Sequence, residues 1–197
     1  MNWSMSFRRP LFTWTATAPL TSEKLATCDC APPTSVTPSL ASLLAPERVL
    51  CAAPIGSKKR ALEQLTGLLL RGEPSLSPEV DFDAVYSHLL ERERLGSTAL
   101  GGGVAIPHAR LPKLRAPRAA FLSLQAPLEF DALDGMPITL LFALLIPEQA
   151  NDLHLQLLAQ LAGILSNTDL LDQLRTVSDG HTLITLLAET QSHSDVT

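Results

Sequence analysis

The sequence is poor in cysteine and has no long apolar run. Its three cysteines are Cys28, Cys30 and Cys51, an odd number, and the first two lie in a segment rich in proline and threonine. This pattern supports neither a disulfide framework nor a zinc site, so we expect free thiols and a reducing cytoplasm. The longest apolar run, Ile138–Ile146, is nine residues with one threonine inside it. Because a membrane-spanning helix needs about 20 residues, this run predicts a buried strand and no membrane insertion.

The sequence also lacks an excess of positive charge. Its formal net charge is −5, with 46% apolar and 18% charged residues. This is an ordinary globular composition and argues against both an intrinsically disordered chain and a nucleic-acid-binding protein. A length of 197 residues fits one domain with a sizeable core.

The composition divides the chain into three parts. Residues 1–38 are dominated by Ser, Thr and Pro and have no apolar periodicity, so we predict a poorly ordered extension, or a start codon assigned too far upstream. Regular signals begin near Leu40 and predict a compact domain over residues 39–190. Residues 191–197 form a polar tail.

Capping residues and apolar spacing predict the first helices of this domain. Ser39 or Ser42 opens a short helix, and Ser57 caps a longer one whose leucines recur at three-four spacing. Ser77-Pro78 is predicted to open the next helix, which ends near Arg94 and places Phe82, Val85, Tyr86 and Leu89 on its inner face.

The second half combines strands with helices. Val104–Ile106 is predicted to be a strand that Pro107 stops, with His108 at its end. Further strands are predicted at Ala119–Leu124 and Ile138–Ile146. The last helices are predicted to be capped by Asn151 or Asp152, by Asn167 or Thr168, and by Ser178. Helices before and after a small sheet indicate an α/β layered domain.

Residues 92–108 combine three features that suit an anion. Arg92 offers a planar bidentate fork, Ser97 and Thr98 after Gly96 offer hydroxyl donors, and Gly101–Gly103 lets backbone N–H groups approach a phosphate closely. His108 supplies an imidazole that is largely neutral and nucleophilic at neutral pH. The pattern predicts a phosphoryl acceptor on His108, although a glycine triplet is often only a loop and a histidine after proline often only a structural donor. No Gly-Lys-Ser/Thr motif is present to bind ATP.

These residues resemble a known family. Arg92-Glu93, Gly96–Thr98 and Ala105–His108 are similar to the signature of the type-2 enzyme IIA domain of the bacterial phosphoenolpyruvate phosphotransferase system, and in particular to its nitrogen-regulatory branch. The resemblance covers about 150 residues, from near Leu40 to near Glu189, and includes four further segments: Gly56–Glu63, Phe130–Pro137, Leu140–Pro147 and His154–Ala159.

The resemblance implies a fold and a set of partners. It implies a mixed central sheet flanked by helices, a cytoplasmic location, no cofactor and no bound metal. It implies that His108 receives its phosphoryl group from an HPr-like carrier, itself charged by an enzyme I homologue from phosphoenolpyruvate. His154 matches the second active-site histidine, and Arg92 and the turn at Gly96, Ser97 and Thr98 would stabilise the phosphate. The regulated partners would be proteins such as potassium transporters or sensor kinases.

Two alternatives stay open at this level. A sugar-specific IIA component would pass the phosphate to a IIB domain, and a binding regulator would use the fold without the chemistry. A metal held by His108 and His154 is a weak variant of the second, because a zinc site normally needs more ligands. No chemistry is expected of His88, His181 or His193. Arg94 and Arg110 lie close to the motif and could add positive potential to it or be surface charges.

Overall fold

The structure, a computed structural model, describes residues 38–72 and 79–194, and these belong to one compact unit, Val36–Thr197. The predictions for Cys28, Cys30 and most of the 1–38 extension lie outside the described residues, as does the end of the polar tail. The elements in chain order are α1 (Leu40–Leu43), a 3₁₀ turn (Pro46–Arg48), β1 (Val49–Ala53), α2 (Lys58–Leu69), α3 (Phe82–Arg94), β2 (Ala99–Gly101), β3 (Val104–Ala105), β4 (His108–Leu111), β5 (Arg118–Leu128), β6 (Ile138–Pro147), α4 (Asn151–Leu165), α5 (Thr168–Thr176) and α6 (Gly180–Ser194).

The strands form one mixed sheet in the order β1-β5-β6-β3-β2, with β4 also paired to β6. β5 and β6 are antiparallel, whereas β1 runs parallel to β5, and β3 and β4 run parallel to β6. This confirms the α/β layered domain with a mixed central sheet.

Strand β6 lies at the centre of the core because both of its faces are covered. Leu141, Ala143 and Leu145 belong to a cluster that packs against α2 and α3. The alternate residues Phe142 and Leu144 belong to a second cluster, on the side of α1, α4, α5 and α6. The side-chain period of two along a strand therefore divides one apolar run between two hydrophobic layers.

Several predicted helix starts are confirmed. Ser39, Ser57 and Asn167 accept N–H bonds from the third residue after each of them, as N-caps do. Among the described residues, no helix combines the length and the apolar character needed to cross a bilayer.

Other predicted helix starts are wrong. α3 begins at Phe82, and Asp81 caps it by accepting the Ala84 N–H at 2.8 Å, whereas the predicted opening at Ser77-Pro78 lies outside the described residues. Phe82 is 42% exposed and does not line the core, because it lies in the first turn of the helix.

Two later starts also differ from the prediction. α4 begins at Asn151 after Ala150, which makes no side-chain cap, so neither Asn151 nor Asp152 is the N-cap. Asp179 accepts the Thr182 N–H at 2.9 Å at the start of α6, where Ser178 was expected to do so. Aspartate and serine are equally good N-caps, so the local sequence does not distinguish Asp179 from Ser178.

Candidate functional site

Pro107 interrupts one strand and thereby presents His108. β3 and β4 both pair with β6 in the same register, and the proline between them supplies no N–H to the ladder. His108 lies at a strand end as predicted, but it begins β4 instead of following the end of Val104–Ile106, because the chain resumes pairing immediately after the proline. The interruption leaves the Ile106 carbonyl oxygen 2.8 Å from His108 Nδ1.

This contact determines the protonation of the imidazole. A carbonyl oxygen only accepts hydrogen bonds, so Nδ1 must carry the proton when the ring is neutral. Nε2 then keeps its lone pair, and Arg92 Nε donates to it at 3.1 Å. The same guanidinium donates from Nη1 to the Gly96 carbonyl at 3.1 Å, which fixes it at the end of α3.

His154 is in the first turn of α4, and its ring lies beside that of His108. The ring centroids are 5.2 Å apart and the planes meet at 80°, an edge-to-face arrangement. Arg110 Nε donates to His154 Nδ1 at 2.8 Å, so the remaining proton of this neutral ring is on Nε2. The two side chains are both buried, His108 being 8% exposed and His154 9%.

Burial and nearby cations keep both rings neutral. Burial is the main factor that lowers the pKa of His108, and Arg92 and Arg110 lower it further, although the hydrogen bond to Ile106 acts in the opposite direction. Burial, followed by His108, Arg110 and Arg92, lowers the pKa of His154 to about 4. Two neutral imidazoles among arginines form a site that is suited to an incoming anion.

The turn at Gly96, Ser97 and Thr98 packs against the site with its hydroxyl groups already bonded. Ser97 Oγ donates to the Phe130 carbonyl at 2.7 Å, and Thr98 Oγ1 donates to Glu93 Oε2 at 2.5 Å. Gly96 contributes the carbonyl that Arg92 binds. The polar groups of all three residues are therefore bonded within the protein, in roles that the sequence did not indicate.

The glycine triplet serves the fold. Gly101, which ends β2, and Gly102 and Gly103, which form the turn to β3, all have positive φ. The Gly102 N–H donates to Asp134 Oδ2 at 2.9 Å, and its carbonyl accepts from Arg175. The triplet is predicted to donate backbone N–H groups to a phosphate, but the Gly102 N–H donates to a carboxylate of this chain.

A groove of about 420 Å³ opens over the His108 ring. Arg92, Ser97, Thr98 and His108 form its polar part, and the α4 residues Leu158, Ala159 and Ala162 belong to its apolar wall. Within the described residues, no group of three or more His, Cys, Asp or Glu side chains could hold a metal ion.

Sequence reasoning missed two features of this site. For Arg110 the sequence leaves open a contribution of positive potential to the motif or a surface charge, and it does not indicate the bond to His154. The position of Arg110 two residues after His108 in a strand places both side chains on one face, a signal that could have identified it. The ion pair between the half-buried Lys58 and the buried Glu93, 2.7 Å apart, joins residues from two helices and has no signal in the local sequence.

Comparisons with known proteins identify the family of this chain. The family model described as "Phosphoenolpyruvate-dependent sugar phosphotransferase system, EIIA 2" matches residues 42–190. The nitrogen regulatory protein of Pseudomonas aeruginosa is 44% identical over 153 residues, which is 78% of this chain and 97% of that protein.

Two solved structures extend the comparison. The crystal structure of nitrogen regulatory protein IIA-Ntr from Neisseria meningitidis is 40% identical, has a TM-score of 0.68, and covers 75% of this chain and 97% of that one. The IIA mannitol structure from Escherichia coli, 19% identical, has a TM-score of 0.60 over 73% of this chain and 98% of its own, and shares the fold. The chain belongs to the EIIA type-2 family of the phosphoenolpyruvate-dependent sugar phosphotransferase system, and within it is similar to the nitrogen regulatory proteins.

Proposed function

We propose that this protein is a cytoplasmic regulatory phosphocarrier that accepts a phosphoryl group on His108 Nε2 from an HPr-like protein. The observation that carries the proposal is the buried His108 ring, whose Nδ1 is held by the Ile106 carbonyl and whose Nε2 lone pair faces Arg92 in an open groove. With Nδ1 protonated and held in this way, the nucleophilic lone pair of the ring is on Nε2, and it becomes available when Arg92 moves aside.

The transfer follows from these contacts. Nε2 of His108 attacks the phosphorus of the donor phosphohistidine, the donor P–N bond breaks, and its electron pair returns to the donor imidazole. Arg92 donates to Nε2 in the resting protein, so its guanidinium must leave the ring nitrogen before the attack and can then bond the phosphoryl oxygens. His154, at the positive end of α4, would bring a further N–H to the anion.

Regulation is favoured over sugar transport by similarity. The relatives at 40% and 44% identity are a IIA-Ntr protein and a nitrogen regulatory protein, whereas the mannitol IIA protein is 19% identical. A phosphoryl group adds about −1.5 to −2 charges beside an apolar wall, which changes the affinity of any protein that docks there. Transporters of potassium or sensor kinases are the kinds of target we propose.

Labelling tests the proposal directly. The purified chain is incubated with phosphoenolpyruvate, enzyme I and an HPr-like carrier, and acid-labile, base-stable phosphate is mapped by mass spectrometry. We expect labelling at His108, none in His108→Ala, and slower labelling in His154→Ala. His181→Ala, which changes an exposed histidine of α6, is the control. Full-rate labelling of His108→Ala would refute His108 as the phosphoryl acceptor. No labelling of the wild-type chain by active carriers would favour a phosphorylation-independent regulator.

A further inference from the structure

Glu93 is a buried carboxylate next to Arg92 in the last turn of α3. It is 6% exposed, and its neighbour in sequence is the arginine that bonds the acceptor ring. Burying a carboxylate is costly unless it is paired and hydrogen-bonded, so its partners indicate what it does.

One carboxylate oxygen is held by α2. Lys58 Nζ lies 2.7 Å from Glu93 Oε1 and 3.0 Å from Asp131 Oδ2. Burial alone would lower the pKa of Lys58, but its bonds to Glu93 and Asp131 outweigh this and raise it, so the lysine stays charged. Lys58 also stands over the Phe130 ring, 4.5 Å from its centroid. The ammonium therefore ties together two helices and the loop before β6.

The other carboxylate oxygen organises the turn after α3. Glu93 Oε2 accepts both the Thr98 N–H, at 3.1 Å, and the Thr98 hydroxyl, at 2.5 Å. The Thr98 carbonyl in turn accepts the Ile106 N–H at 2.9 Å. The Ile106 carbonyl accepts the Nδ1–H of His108. A continuous series of bonds thus joins Glu93 to the nitrogen that determines the tautomer of the acceptor ring.

The same turn also fixes the other side of the ring. Arg92 bonds the Gly96 carbonyl and His108 Nε2, and Gly96 lies between Glu93 and Thr98, the two residues that the carboxylate bond joins. We propose that Glu93, clamped by Lys58, is a positioning residue that holds the His108 tautomer, and the turn whose Gly96 carbonyl Arg92 bonds, in place for phosphoryl transfer. This inference rests on the proposed function of His108, and it assigns the Thr98 hydroxyl to Glu93 in place of the phosphate.

The test measures rate and tautomer in the full chain. Labelling rates are measured with the phosphorylated HPr-like carrier and with phosphoramidate, a small donor whose P–N bond breaks to release ammonia as His108 Nε2 is phosphorylated. Side-chain ¹⁵N NMR reports which nitrogen of His108 carries the proton. The variants are Glu93→Gln, which keeps the shape and removes the charge, and Thr98→Val, which removes only the hydroxyl. The control is Glu63→Gln, which breaks the surface pair with Lys59 at 3.9 Å.

We expect Glu93→Gln to slow labelling by about tenfold to hundredfold with both donors, since misplacement of reacting groups has effects of that size. We expect His108 to become a mixture of tautomers, Thr98→Val to change both readouts in the same direction by less, and Glu63→Gln to change neither. An equal effect with both donors places the defect in the site, because phosphoramidate needs no docking surface.

A folded Glu93→Gln protein with the wild-type rate, or a slower one with an unchanged tautomer, would overturn the positioning role. If Glu93→Gln does not fold, Thr98→Val decides by the same two readouts. If the wild-type chain is labelled by neither donor, the proposed function fails, and an unchanged His108 tautomer in the variants would separately refute the role of Glu93.

Discussion

The Nδ1 atom of each imidazole in the site is hydrogen-bonded, and the two bonds run in opposite directions. His108 donates from Nδ1 to a carbonyl, whereas His154 accepts at Nδ1 from Arg110. The pair is therefore two neutral rings with opposite tautomers, which is a consequence of a carbonyl accepting and a guanidinium only donating. Substituting Arg110 would leave the His154 ring free to change tautomer, whereas substituting Ile106 would keep the backbone carbonyl that His108 bonds.

The lowered pKa of His154 predicts that acid destabilises the fold. Its pKa is lowered from 6.5 to about 4, first by burial. Between these pH values the unfolded chain binds a proton that the folded chain does not, so stability falls as the pH falls through this window. We expect the Tm to decrease from pH 6.5 to pH 4, and His154→Gln to reduce that slope.

Thermal unfolding across this range, together with an NMR titration of the His154 ring, checks the prediction. His181→Gln serves as the control because His181 is exposed. An unchanged slope in His154→Gln, or a His154 ring that titrates near pH 6.5, would contradict the assigned cause.

At the scale of elements, two helical glycines differ in how much space surrounds them. Gly163 lies inside α4 with no atom within 4 Å of where a Cβ would stand. Gly180 begins α6, and a Cβ there would stand 2.9 Å from the Pro46 carbonyl oxygen and 3.2 Å from Val49 Cβ. Only the second glycine is required by a close approach, the one between α6 and the 3₁₀ turn before β1.

This difference predicts opposite effects of the same substitution. Gly163→Ala should stabilise the protein by about 1 kcal/mol, because alanine has the higher helix propensity. Gly180→Ala should destabilise it by about 1–3 kcal/mol through overpacking. Urea denaturation of the two variants beside the wild type measures both, and effects of equal sign would show that the close contact yields without cost.

At the scale of the whole molecule, one sheet separates two hydrophobic layers. Leu65 of α2 lies in the layer on one face, and Leu157 of α4 lies in the layer on the other, both fully buried. β6 contributes alternate residues to both layers. If one layer unfolds, β6 moves and the other layer loses part of the surface against which it packs.

We therefore expect the two layers to unfold together. Leu65→Ala and Leu157→Ala should each cost about 2–5 kcal/mol and shift one shared transition. Leu133→Ala is the control because Leu133 is 101% exposed, and surface changes stay within about 0.5 kcal/mol. Calorimetry checks the prediction through equal calorimetric and van't Hoff enthalpies. Separate transitions in either core variant would mean that the layers are independent.

The elements with strong local signals were predictable. The Ser57 cap with its three-four leucine stripe gave α2, and the apolar run at Ile138–Ile146 gave the buried strand β6. Helix starts without one dominant signal were placed wrongly, as at Asp81 and Asp179, because neighbouring serine or asparagine residues competed for the same role. The resemblance of the Ile-Pro-His segment supplied the family.

By itself the sequence determined the family, the α/β class and the acceptor candidate, because these depend on local residue types and their spacing. Only the tertiary structure decided which groups meet: Arg110 with His154, Asp134 with Gly102, and Lys58 with Glu93. The two residues of each pair are far apart along the chain. Packing of the helices and loops around the sheet brings them together, and only that packing decides which polar group bonds a buried charge or a turn N–H. Local sequence records the need for a partner but not which distant residue fills it.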